Sequence, residues 1–124
     1  MLRQCAAALA FSVLAPALAL AQDDPMAGYY GNTVISTGSL GESHTHYKPD
    51  HTFDVTLSAL GQTFTGKGTW KIDEKGQLCR TYDRPPPGLT NPVCTEVHPH
   101  KPGDKWTVTL NGQSRDVTMK AGEQ

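Results

Sequence analysis

From residue 33 onward the chain alternates apolar and polar positions almost residue by residue, in short runs rich in Thr, Val, Phe, Tyr and Trp. Turn signals separate the runs: "GSLGE", "KPDH", "LGQT", "DEKGQ", "PPPGLTNP", "HKPGD" and "LNGQ". A period of two marks a strand with one buried face, because successive side chains point to opposite sides of the pleat. No segment of useful length after residue 21 repeats with the period of a helix. The pattern predicts an all-β antiparallel meander, with strands near residues 33–37, 42–48, 51–60, 62–72, 77–82, 93–98, 105–110 and 113–120. About eight strands with one apolar face each bury those faces together by curling, so a small curled sheet or barrel is expected.

The turns convert this pattern into registers. Asn111-Gly112 lies between alternating strands, the strongest short hairpin signal. A two-residue loop there pairs Leu110 with Gln113, Val108 with Arg115 and Trp106 with Val117. Trp106, Val108, Leu110, Val117 and Met119 then share one face, so turn and hydrophobic pattern agree. With Gly61-Gln62 as the loop of the central hairpin, Ala59 faces Phe64, Leu57 faces Gly66, Val55 faces Gly68 and Phe53 faces Trp70. Glycines weaken a strand interior, so Gly66 and Gly68 need a reason; strong coiling of the sheet is favoured over close approach of a ligand. "IDEKGQL" fits a type I turn with Gly76 left-handed, which pairs Ile72 with Leu78 and sends Cys79 to the outer face.

The first residues follow a different rule. "MLRQCAAALAFSVLAPALALAQDD" has a short basic start, an apolar run and a small-x-small site, Ala19 to Ala21. It reads as a secretory signal peptide over residues 1–21, cleaved after Ala21 and directing export to a periplasm or the medium. About a hundred residues remain, 22–124, enough for a single β-domain. With Arg3 removed, ten Lys/Arg stand against twelve Asp/Glu and no run of like charge appears. Nucleic acid and membrane insertion are therefore not expected. Cleavage also removes Cys5. Cys79 and Cys94 remain, and an exported chain favours their disulfide. Closing a loop of about fifteen residues is worth roughly 3 kcal/mol in the chain-entropy model.

The stretch "YKPDHTFDVTLSALGQTFTGKGTWKIDEKGQLC" brings together Tyr47, Asp50 to Thr52, Gly68 to Trp70, Asp73 and Leu78-Cys79. In these positions it resembles the core of small secreted proteobacterial β-domains with a lipocalin-like, or calycin-like, curled sheet. The resemblance covers about a third of the mature chain and implies that fold. His51 stands where such turns commonly carry glycine, and "GYYGNT" replaces the N-terminal Gly-x-Trp of true lipocalins. Those domains mostly lack an established activity, so the resemblance implies architecture and no chemistry.

Candidate chemistry centres on "SHTHYKPDHTF", which holds three of the five histidines. A two-residue Pro49-Asp50 loop aims His44, His46 and His51 at the face carrying Phe53, Val55, Leu57 and Trp70. One more loop residue turns His44 and His46 outward and Tyr47 inward. Inward-facing His44 and His46 would stand about 6–7 Å apart along the strand. With His51 they would suit one Zn²⁺ or Cu²⁺. His98 and His100 flank Pro99 in a loop and join the cluster only if that strand end lies beside Pro49. Tyr29, Tyr30, Phe53, Trp70 and Trp106 are candidate ligand-pocket residues, although in so small a barrel packed aromatics filling the core are the simpler expectation. No Ser/His/Asp or Cys/His motif supports catalysis. The expected function is a non-enzymatic binding module for a small apolar ligand or partner protein; the alternative is a Zn- or Cu-binding protein using the histidine-rich hairpin.

Overall fold

Runs of β-branched and aromatic residues flanked by Gly, Pro, Asn and Asp form strands because their side chains pack on a half-buried pleated surface. The computed structural model describes residues 24–39 and 41–124, so the signal peptide expected over residues 1–21 lies outside the described residues. Strand β1 spans Thr33–Gly38, β2 Gly41–Tyr47, β3 Thr52–Ala59 and β4 Gln62–Ile72. Strand β5 spans Gln77–Tyr82, β6 Val93–Glu96, β7 Lys105–Leu110 and β8 Gln113–Lys120. One 3-10 turn, Ala27–Tyr29, precedes them. The expected all-β meander is what forms. All pairings are antiparallel, in the order β6-β5-β4-β3-β2-β1-β8-β7. The edge strands β6 and β7 meet without pairing, so the sheet curls into a nearly closed barrel.

Each hairpin shows what fixes its register. In β7/β8 the pairs Leu110 with Gln113, Val108 with Arg115 and Trp106 with Val117 form as expected. Asn111 and Gly112 both adopt positive φ, the type I′ geometry that matches strand twist. In β4/β5, Ile72 pairs with Leu78 around Gly76, and Asp73 Oδ1 accepts from the backbone N–H of Lys75 and Gln77 at 2.9 and 2.8 Å. The central hairpin departs from expectation. Its loop is Leu60-Gly61, both at positive φ, so Leu57 faces Phe64, Val55 faces Gly66 and Phe53 faces Gly68 rather than Trp70. The slip is two residues, an even number, so every side chain keeps its expected face.

Leu60 is the costly residue of that turn. Its φ is 52° and its side chain is fully exposed, so nothing compensates the left-handed backbone that branched and bulky residues disfavour. Leu60→Asn should raise stability by about 1 kcal/mol, because asparagine enters this region readily. An unchanged or lower urea midpoint would contradict that account.

The rims of the barrel differ. The turns β2–β3, β4–β5 and β6–β7 gather at one end, and residues 24–32 pack across that end as a plug. Met26 is fully buried and Tyr29 nearly so, with the Tyr29 hydroxyl donating to His98 O at 2.9 Å. Burial, helped by neighbouring Tyr47 and Asp104, pushes the Tyr29 phenol well above its ordinary range. The other rim carries the turns β1–β2, β3–β4 and β7–β8 and the proline-rich connection after β5. There Asn91 extends the β5 ladder with its side chain: Tyr82 N donates to its Oδ1 at 2.9 Å and its Nδ2 donates to Tyr82 O at 2.7 Å. Cys79 and Cys94 are cross-strand partners joined by a disulfide on the outer face of β5 and β6. Cys79 is nevertheless buried, its Sγ lying 3.5 Å from Asp73 Oδ2.

Candidate ligand cavity

A barrel of eight short strands can be filled by its own side chains. This one is filled only at the plugged end. There Tyr29 meets Tyr47 and Trp106 edge-on, with ring centroids 5.9 and 6.3 Å apart. Trp70 packs between Tyr30 and Tyr47, and Phe53 packs on Tyr47 and Tyr82. Trp70 Nε1 donates to Lys48 O at 3.1 Å, which satisfies the one polar atom of that side chain.

Above these rings the interior holds a cavity of about 790 Å³. Its apolar wall comes from Val55, Leu57, Phe64, Val108 and Leu110, and its mouth lies between Leu60, Leu89 and Asn111. Side chains become smaller and more polar on the β1–β2 wall, where Ser36 and Ser43 are cross-strand partners and Thr45 stands opposite Val34. The volume falls within the range of sites for small organic ligands. The expectation of a solidly packed interior is therefore corrected. Strand spacing and curl set the barrel's radius, and residues such as Ser36, Ser43 and Thr45 are too small to reach its axis.

Of the five aromatics expected at a pocket, Tyr29 and Trp106 lie on the cavity wall. Tyr30, Phe53 and Trp70 belong to the packed end and do not line it. Asp24 accepts from the Tyr30 hydroxyl at 2.7 Å; desolvation first, then this carboxylate, pushes the Tyr30 phenol up to about 12.

The histidines lie elsewhere. The β2–β3 loop is the longer of the two expected alternatives: Lys48 N donates to Thr52 O and Tyr47 faces Phe53. His51 takes the left-handed position at φ 69°, where glycine is usual. Tyr47 consequently points inward, while His44 and His46 point outward beside Thr56 and Asp54. Each imidazole has its own partner. His44 Nε2 lies 3.4 Å from Glu42. His46 bonds Asp54 Oδ1 at 2.7 Å through Nδ1 and Thr33 Oγ1 at 3.1 Å through Nε2. The Thr33 hydroxyl donates to Gly122 O at 2.7 Å. His51 stacks on Trp70 at 4.2 Å, and its Nδ1 lies 3.2 Å from Trp70 O.

The structure therefore does not bring His44, His46 and His51 together as a Zn or Cu ligand set. The outward register separates His51 from the other two. Among the described residues the one group of three or more converging His, Cys or acidic ligand atoms is Asp73, Cys79 and Cys94, and the two sulfurs are bonded to each other. His98 pairs with Glu96 at 3.3 Å, and His100 stacks on Trp106 at 3.5 Å with Nδ1 3.2 Å from Asp104. Asp104 is held below the ordinary carboxylate range, chiefly by the Lys101 backbone N–H and then by His100.

Two wall residues escaped the sequence reading: Arg80 and Arg115. Both lie on inward positions, Arg80 between Leu78 and Tyr82 and Arg115 opposite Val108. The signal was present, because a charged residue in phase with an apolar alternation points inward with it. No protein-family model, curated protein or solved structure matches the chain.

Proposed function

We propose that the chain is an exported, non-enzymatic binding module that takes a small, largely apolar ligand into the interior of a lipocalin-like barrel. The cavity above the aromatic plug carries this reading: it is concave, open at one rim and walled by Val55, Leu57, Phe64, Val108 and Leu110. Burying apolar ligand surface there is worth on the order of 25 cal/mol per Å². The rigid sheet sets the walls in advance, which lowers the ordering cost of binding. Export is supported by the apolar run of residues 6–20 with its Ala19-Leu20-Ala21 site, and by the disulfide. Among the described residues no helix is long and apolar enough to cross a membrane.

Titrating the mature domain with neutral aminoanthracene tests the reading. A saturable, blue-shifted fluorescence rise with one probe per chain is expected. A weak, linear rise with no saturation would leave the cavity without a binding role.

A further inference from the structure

We infer that the ligand of this cavity is an amphiphile with an anionic head group, a carboxylate carried on an apolar body, and that Arg80 receives the head group with Arg115 assisting. The inference rests on the binding-module reading above and adds the chemical class of its ligand.

The charge inventory of the cavity carries the argument. Three ionisable side chains of fixed sign border it: Arg80, Arg115 and Glu96. Glu96 does not neutralise the arginines. It alternates with the inward positions Thr95 and Val97, its side chain is 82% exposed, and it lies 3.3 Å from His98. Among the described residues no ion pair involves either arginine. The interior therefore holds two guanidinium groups and no counter-charge.

The two arginines are held differently. Arg115 is anchored to the wall: its Nε donates to Ser36 Oγ at 2.7 Å, and Nη2 donates to Ser36 O and Gly41 O at 3.1 Å each. Burial, and then the charge of Arg80, lowers its affinity for the proton it carries. The Arg80 guanidinium hydrogen-bonds the Tyr47 phenol and lies near that of Tyr82, while its Nε alone is buried with no hydrogen-bond partner. Arg80 Nε is the one buried side-chain nitrogen or oxygen among the described residues that lacks one. A buried, unpartnered donor on a charged group is expensive. Such a group calls for an explanation, and an anion bound to the same guanidinium on the cavity wall supplies one. A planar carboxylate matches the guanidinium fork in geometry and charge. The apolar residues that line the same cavity suit a hydrocarbon or aromatic body rather than a free inorganic anion.

A matched probe pair separates this inference from the reading beneath it. Dansyl-labelled undecanoic acid and its methyl ester share one apolar body and differ in charge. At neutral pH the wild-type domain should bind the acid at least about tenfold more tightly than the ester, a difference of about 1.4 kcal/mol. R80M should bring the ratio close to one by weakening the acid alone, and R80K should keep part of the preference. Circular dichroism and thermal melting establish that the variants fold; if R80M does not, R80Q serves for the same ratio. Equal binding of acid and ester by wild type, or an unchanged ratio in R80M, overturns the anion inference while the cavity reading stands. Binding of neither probe overturns both.

Discussion

Leu57→Trp should weaken binding of neutral aminoanthracene by about a hundredfold, or roughly 2.7 kcal/mol, while the domain remains folded. Leu57 lies on the cavity wall of β3, half-buried, between its cross-strand partners Ser43 and Phe64. An indole there projects into open volume, so it displaces ligand rather than neighbouring side chains. Filling a void adds contacts, so stability should hold or rise slightly. Thr56→Trp is the control. Thr56 is the adjacent, outward and exposed residue of the same strand, and its replacement should leave affinity unchanged. Equal loss in both variants would mean the probe does not occupy the interior, as would no loss in either.

Gly68→Ala should be among the most destabilising single substitutions in the sheet, costing about 3 kcal/mol. A Cβ at Gly68 would sit on the Thr81 carbonyl oxygen and meet Phe53 Cε1 at 3.0 Å. Neither obstacle can yield cheaply: one is backbone of the paired strand β5, the other a ring buried among Tyr47 and Tyr82. Gly66→Ala should cost less, about 1 kcal/mol, because its new Cβ meets chiefly the edge of the Phe64 ring at 2.8 Å, and Phe64 borders open volume. In a domain of this size about 1 kcal/mol moves the melting temperature by roughly 4–8 °C. Thermal melts of the two variants should therefore separate clearly, Gly68→Ala lower. Similar melting temperatures would mean that close approach of β4 and β5 at Thr81 is not what Gly68 provides.

These two glycines also show how far residue order reveals structure. Coiling of the sheet is the favoured reading for both from sequence; at Gly68 the structure shows instead a close approach of the Thr81 backbone. The β7–β8 register was readable because Asn111-Gly112 is a strong type I′ signal. The central hairpin was misplaced because leucine is an unlikely resident of a left-handed turn, yet Leu60 occupies one. The histidine-rich hairpin turned on one backbone angle. His51 adopts the position usually given to glycine, and that choice sends Tyr47 into the core and His46 toward Asp54. Local sequence does not fix that angle; the stacking of His51 on Trp70 and its bond to Trp70 O help hold it, and both come from a distant strand. Of the cavity, Tyr29 and Trp106 were legible as candidate lining residues, but its volume was not, since that follows from how far the sheet curls before β6 meets β7. Arg80 and Arg115 are legible in phase, but their charge sets them apart from the apolar residues by which a core face is marked.

The central claim is that the barrel interior, and not its surface, is the binding site. Methyl-resolved NMR during a titration with dansyl-labelled undecanoic acid tests it most directly. The account predicts saturable shifts and probe contacts at the methyl groups of Val34, Val55, Leu57, Val108 and Leu110, all on the cavity wall. Perturbations confined to Ile35 on the outer face and Leu60 at the rim, with the interior methyls unmoved, would contradict it.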